Sequence, residues 1–131
     1  MSVAIKSRAP QAGRVPWPRL ESLIVIQFPK HLEFCLSSFR KSAIRKLASY
    51  AWEQFGTRLR AVTISRWETP DEENSWRLAV EVECDASWEV VEEGRYAILA
   101  RLAELANTWT KEQRDDFSKR IYLELQASAG E

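Results

Sequence analysis

Glycine is scarce in this chain of 131 residues, which contains only four. The four stand far apart, so no glycine-rich loop is available to hold a phosphate with its backbone amides. The sequence therefore excludes phosphate-binding loops of the P-loop type and the glycine-rich dinucleotide-binding motif.

Histidine and cysteine are also rare. His31 is the only histidine, which excludes metal sites built on two or more imidazoles. Cys35 and Cys84 are too far apart in sequence for a metal-binding or redox motif, and we expect both to be reduced, buried thiols. No cofactor is expected.

Long apolar runs are absent as well. No stretch approaches the ~20 residues that a membrane-spanning helix needs, and the first twenty residues lack the apolar middle of a signal peptide. Because 45% of the residues are hydrophobic, the chain can bury the core of one domain. We expect a cytoplasmic protein with no membrane partner.

The charges balance overall but are unevenly distributed. Residues 38–66 carry seven basic and one acidic side chain, whereas residues 67–93 carry ten acidic and one basic. Residues 1–20 contain four basic residues, three prolines and no acid. This composition predicts a flexible basic tail at 1–20, a single domain at 21–127 and a frayed end at 128–131. The basic and acidic thirds favour complementary contact, within the monomer or between copies.

Two alternating runs predict a β-hairpin between residues 59 and 85. Val62 and Ile64 alternate with polar residues in the first run, as Val80 and Val82 do in the second. This period of two is typical of strands with one buried face. The polar residues at 68–75 are rich in turn formers and predict the connecting loop.

Two registers of this hairpin keep both apolar sets on one face. Val62 lies opposite Val82 in the first and opposite Val80 in the second. The first register also sets Trp67 opposite Arg77, where the guanidinium can stack on the indole.

Helices are predicted on both sides of the hairpin. An apolar stripe of helical period begins after Ser37 or Ser38 and ends at Gly56, a typical helix-terminating residue. Ser87 can cap a second helix, and the spacing at Thr110 predicts a capping box on a short extra turn.

Further strands are predicted at residues 22–28 and from Ile121 onward, whereas residues 30–36 fit either a strand or the start of the first helix. The order strand, helix, strand, strand, helix, strand predicts an α+β, ferredoxin-like split βαββαβ fold. Its sheet would be antiparallel and four-stranded, with two helices on one face. The alternatives leave the first strand out of the sheet or add residues 31–36 as an extra strand.

The polar face of the hairpin carries acidic residues that suit two interpretations. Glu81, Glu83 and Asp85 point the same way from one strand, and Asp71 could approach from the loop. Such carboxylates can hold a divalent ion for metal-dependent phosphoester chemistry. The simpler interpretation is a solvated strand face whose like charges deter edge pairing.

Nucleic-acid binding has little support. Recognition of RNA through the sheet needs exposed aromatic residues amid basic charge, but the third strand offers Ala79, Glu81 and Glu83. A weaker option rests on three basic residues of the first helix, namely Lys41, Arg45 and Lys46.

Residues 55–64, followed by a proline-bearing loop and Ser75, resemble the helix-to-strand entry of minimal nucleotidyltransferases over about thirty residues. The Gly-Ser turn of that family is replaced here by residues 65–67. The positions of its paired aspartates fall near Trp76 and Leu78, which cannot bind metal. The resemblance implies at most an inactive relative.

The expected function is a small, non-catalytic interaction module. A tryptophan on the polar face of a sheet is typical of a protein interface, and the segregated charge suggests a homodimer or another protein as the partner. The predicted interface residues are Thr63, Trp67, Arg77, Glu81 and Glu83. Besides the metal-dependent enzyme, the alternative is a regulatory domain that binds a small ligand between the sheet and the loop.

Overall fold

The computed structural model describes residues 5–7, 24–26 and 28–127, with side chains for the last range. Most of the predicted tail at 1–20 and the predicted frayed end at 128–131 therefore lie outside the described residues. The elements are β1 (Ile5–Ser7), β2 (Ile24–Ile26), a 3₁₀ helix (Lys30–Cys35), α1 (Ser38–Phe55), a 3₁₀ turn (Gly56–Arg58), β3 (Leu59–Trp67), β4 (Arg77–Cys84), α2 (Trp88–Ala106), α3 (Lys111–Arg120) and β5 (Ile121–Ala127).

The predicted hairpin is confirmed, in the first of its two registers. Strands β3 and β4 are antiparallel, with Val62 opposite Val82 and Trp67 opposite Arg77. An irregularity between Leu59 and Ala61 shifts the register at the start of β3. Beyond it, Val62 and Ile64 face Val82 and Val80 on the core side of the sheet.

Strand β5 pairs with β4 in the parallel direction, from Leu78 opposite Ile121 to Cys84 opposite Ala127. Parallel neighbours require a crossover connection, which helix α2 provides. Its nineteen residues span about 28 Å, and the eight residues of β4 span about 26 Å. The chain thus returns to the first end of β4 before β5 begins.

The predicted four-stranded antiparallel, ferredoxin-like sheet is therefore wrong. Over the described ranges, the main sheet has three strands in the order β3-β4-β5, with mixed direction. Of the strand expected at 22–28, the described residues Ile24–Ile26 form β2, which pairs with β1 in a separate two-stranded sheet. A run of alternating residues cannot reveal which strand it pairs with or in which direction. The α+β class is confirmed, and the alternative that leaves the first strand out of the sheet agrees with the structure.

The helix boundaries follow local signals that the sequence contains. The side chains of Ser37 and Ser87 cap the first turns of α1 and α2, and Gly56, with a φ of 54°, ends α1. Thr110 and Gln113 form the predicted capping box. The element that follows is a helix of ten residues rather than a single extra turn.

Residues 30–36, which fitted either a strand or a helix, form a 3₁₀ helix at Lys30–Cys35. Leu32 and Cys35 are buried, whereas Phe34 is 73% exposed. The buried residues Leu32 and Cys35 are three apart, which is the period of a 3₁₀ helix, so the alternation of Leu32, Phe34 and Leu36 does not mark a strand.

The core lies between the helices and one face of the sheet. It unites apolar side chains of all three strands with those of the helices, chiefly Ile44, Leu47, Phe55, Val62, Ile64, Leu78, Val80, Val82, Val91, Ile98 and Leu125. Both cysteines are buried, and burial raises the pKa of Cys84 to about 11. No helix in the described part of the chain is long and apolar enough to cross a membrane.

Gly94 of α2 lies against the ring of Phe55 in α1. A Cβ atom at this position would lie 2.4 Å from Cζ of Phe55, which is too close for any contact between carbon atoms. Phe55 is itself buried. A glycine in the middle of α2 is therefore explained by the aromatic ring that packs against it.

We expect Gly94→Ala to lower the free energy of unfolding, measured by urea denaturation. Overpacking typically costs about 1–3 kcal/mol, which exceeds the roughly 1 kcal/mol that alanine gains over glycine in a helix. Adding Phe55→Leu should restore part of the loss, because the smaller side chain makes room. Ala103→Gly, at an exposed position of the same helix, is the control. It should change the free energy of unfolding only by the difference in helix propensity between alanine and glycine. A more stable Gly94→Ala protein would contradict this packing.

Candidate interaction surface

The sheet has a second face, opposite the core, that we call the open face. It is formed by alternate residues of the three strands, namely Thr63, Ser65, Trp67, Arg77, Ala79, Glu81, Glu83, Tyr122 and Glu124. The register places Ser65, Ala79 and Tyr122 side by side across the three strands. All five residues predicted as an interface lie on this face.

Trp67 is held in place by a chain of hydrogen bonds on the open face. Its indole Nε1–H donates to Oγ of Ser65 at 3.0 Å, and the Ser65 hydroxyl donates to Oε2 of Glu81 at 3.0 Å. The hydroxyl of Thr63 donates to the other Glu81 oxygen at 3.3 Å. The ring remains 55% exposed, so it is an oriented aromatic surface of the kind found at the centre of protein interfaces.

Charge on the open face is separated along the strands. Glu81 lies opposite Glu124 in the ladder between β4 and β5, and Glu83 follows two residues later. Arg77 lies at the other end of β4, beside Trp67. Burial raises the pKa of Tyr122, as do the charges of Glu124 and Glu81, whereas Arg77 lowers it. One end of the face is therefore acidic and the other basic and aromatic.

The loop between β3 and β4 is clamped by Arg120, which is only 6% exposed. Its guanidinium donates to the carbonyls of Asn74 at 3.1 Å and Trp76 at 2.7 Å. It also donates to Oδ1 of Asn74 at 2.8 Å. Asn74 has a φ of 59°, in the left-handed region that asparagine tolerates better than most residues. This clamp fixes the shape of the loop beside the open face.

Three guanidinium groups surround the ring of Trp76. Arg120 lies 3.9 Å from its centroid, Arg40 5.0 Å and Arg66 5.8 Å. Arg40 also forms two hydrogen bonds to Asp116, at 2.9 and 2.6 Å, which raise its pKa. The stacking expected between Arg77 and Trp67 does not occur among the described contacts. Arginines of α1, β3 and α3 lie over the neighbouring Trp76 instead.

An open cavity of about 640 Å³ lies between the loop and the start of β5. Aromatic side chains of Trp67, Trp76 and Tyr122 line it together with the cations of Arg77 and Lys119. Acidic residues of the loop complete the lining, namely Glu68, Glu72 and Glu73. The cavity adjoins the basic and aromatic end of the open face.

The residues considered for a metal site are not brought together. Glu81 and Glu83 lie on the open face, whereas Asp85 pairs with Arg60 at 3.1 Å beyond the far end of β4. Asp71 lies in the loop at the opposite end of the hairpin. Over the described residues, no group of three or more His, Cys, Asp or Glu side chains could hold a metal ion.

The basic residues considered for nucleic-acid binding are partly engaged in other contacts. Lys41 pairs with Glu33 at 3.1 Å. Lys41 and Arg45 both lie over the ring of Phe28, at 5.8 and 5.2 Å from its centroid. Lys46 is exposed. Only part of this charge is directed to solvent.

Comparison of the chain with protein-family models, with curated proteins and with solved structures finds no match. The functional argument therefore starts from the open face and the cavity beside it.

We expect Arg120→Ala to lower the free energy of unfolding by about 1.5–3 kcal/mol, since part-buried acceptors lose hydrogen bonds from a charged donor. Arg120→Lys should not restore stability, because an ammonium cannot reproduce the planar fork. The adjacent, exposed Lys119→Ala is the control and should change stability by less than about 0.5 kcal/mol. Equal effects of Arg120→Ala and Lys119→Ala in urea denaturation would contradict the clamp.

Proposed function

We propose that the protein is a small, non-catalytic interaction module that associates with a second copy through the open face. The observation that supports this proposal most strongly is the spacing of charge along β4. Arg77 lies two residues before Ala79 and Glu81 two residues after it, all on the same face. Ala79 is fully buried within the chain, so it marks the midpoint between the two charges and is not itself a contact with the partner.

Symmetric dimers use the same patch on both copies, so residue i contacts residue j and j contacts i. A two-fold axis that crosses the strands at Ala79, between two facing sheets, sets Arg77 opposite the partner's Glu81. The same pair forms a second time by symmetry. The charge pattern of the open face is thus complementary to itself, which steers association and fixes its register.

The same two-fold axis also determines which other side chains of the open face would meet across the interface. Trp67 lies beside Arg77 and Thr63 beside Glu81 in the ladder, so Trp67 would meet the partner's Thr63. Tyr122 lies beside Ala79 and would meet the partner's Tyr122. Aromatic residues thus occupy the centre and the margin of the contact, as in many protein interfaces.

The open face of one chain is small for a stable interface. Three strands at a spacing of ~4.8 Å, each seven residues long, give a footprint of roughly 300 Å². A standard interface buries about 800 Å² on each partner. We therefore expect a weak, reversible association that weakens further with salt.

Charge reversal tests this contact directly. We expect Arg77→Glu alone and Glu81→Lys alone to reduce self-association, because each places like charges opposite one another. An equimolar mixture of the two variants should associate again, because every pair across the interface is then of opposite charge. Sedimentation velocity at low ionic strength measures the association.

The exposed Arg58→Glu, away from the open face, is the control for the change in net charge and should associate as the wild type does. The proposal is wrong if the wild type stays monomeric at high concentration and low salt, or if the mixture associates no better than its components.

The cavity supports a second candidate, a regulatory domain that binds a small ligand. Its volume of about 640 Å³ falls within the ~300–1,000 Å³ of typical ligand sites, and Arg120 holds its wall rigid. A thermal-shift screen of metabolites should then yield a ligand that raises the melting temperature. The ligand should raise the melting temperature less in Lys119→Ala than in the wild type, whereas the exposed Lys111→Ala should respond as the wild type does. If no compound raises the melting temperature of the wild type, a ligand-binding function is ruled out.

A further inference from the structure

Over the described residues, strand β5 is an edge of the main sheet and pairs with β4 alone. Apart from the N–H of Ile121, which donates to the carbonyl of Phe117 in α3, no further backbone bond to β5 is found in that part of the chain. In a parallel ladder, alternate residues direct their N–H and C=O groups away from the neighbour. The other edge differs, because Cα atoms of β1 lie within 8 Å of those of β3.

Natural proteins usually protect such an edge with proline, lysine, a bulge or a very short strand. Strand β5 has none of these over its seven residues, and its only charge is Glu124. We infer that β5 pairs antiparallel with β5 of a second copy, which joins two sheets into one of six strands.

Side-chain chemistry selects the register of this pairing. Centring the two-fold axis on Glu124 would place it opposite the partner's Glu124, and like charges directly opposite are destabilising. Centring it on Leu123 places Tyr122 opposite the partner's Glu124 and Ile121 opposite the partner's Leu125. The second register keeps apolar residues together on the core side and separates the carboxylates.

Leu123 supports this choice by its own exposure. It lies on the core side of the sheet, opposite Val80, which is fully buried. Leu123 is nevertheless only partly buried, and no strand formed by the described residues lies beyond it. At the two-fold axis it would be covered by the partner's Leu123.

The helices next to β5 provide a second, independent indication. An apolar groove of about 260 Å³ runs between α2 and α3, lined by Leu99, Leu102, Trp109 and Phe117 among others. Both helices contact β5. Because the two-fold axis of edge pairing is perpendicular to the sheet, the helices of both copies lie on the same side of it. Their apolar surfaces would then flank the joint between the sheets.

Edge pairing also enlarges the surface of the proposed function, although it does not depend on that proposal. Both open faces would lie on the same side of the six-stranded sheet, which doubles the footprint to roughly 600 Å². That value approaches the ~800 Å² per partner of a standard interface.

A cysteine at the two-fold axis tests the pairing. Residues directly opposite in an antiparallel pair have Cα atoms about 4.5–5.5 Å apart, within the range of a disulfide. Leu123→Cys should therefore form a covalent dimer under mild oxidation, read on a non-reducing gel. The exposed Ser42→Cys on α1 is the control, and the pairing should raise the dimer yield roughly tenfold above it through effective concentration.

The native thiols give little background because both are buried. A cross-link in Leu123→Cys no stronger than in Ser42→Cys, with a native circular dichroism spectrum, would overturn the inference. If Leu123→Cys folds poorly, amide hydrogen exchange of the wild type tests the pairing instead. Alternate amides of β5 should exchange more slowly as protein concentration rises, and rates independent of concentration would refute the pairing.

Edge pairing of β5 and association through the open face can be tested independently of each other. Adding Arg77→Glu to Leu123→Cys should leave the cross-link intact, because Arg77 lies on the open face and not at the edge. Loss of the cross-link in that double variant would contradict edge pairing as described.

Discussion

The alternation of side chains along β4 is the constraint on which the other features depend. Leu78, Val80 and Val82 are completely buried, whereas Glu81 and Glu83, which follow Val80 and Val82, lie on the other face. A slip of one residue would turn both carboxylates into the core and the apolar residues into water. This penalty fixes the pairing of β4 with both neighbours, and with it the positions of every side chain on the open face.

Local signals in the sequence predicted much of the fold. A capping side chain at Ser37 or Thr110, or a glycine such as Gly56, acts on backbone groups within a few residues, so its role can be recognised without the tertiary structure. The direction of β5 could not be recognised in this way. Alternation along residues 121–125 is the same in a parallel and an antiparallel strand, and the short strand at Ile24–Ile26 carries no sign that its partner is Ile5–Ser7.

The candidate site, like the fold, could be predicted only where short-range patterns in the sequence determine it. The sequence places five residues on one face because a period of two determines the face and both possible registers keep the same set there, namely Thr63, Trp67, Arg77, Glu81 and Glu83. The clamp on the loop could not be predicted, because Arg120 lies 44 residues beyond Trp76 in the chain. The only local hint was Asn74, a residue that tolerates left-handed backbone. The stacking on Trp76 rather than Trp67 depends on the same long-range contacts.

The account as a whole requires β4 to be the central strand, antiparallel to β3 and parallel to β5. Cross-strand nuclear Overhauser effects in the isotope-labelled protein measure this arrangement directly. We expect contacts between the α-protons or amides of Val62 and Val82, together with a parallel pattern of contacts that links Val80 to the residues around Leu123. An antiparallel pattern between β4 and β5, or contacts that place residues 24–26 beside a strand of the main sheet, would contradict it.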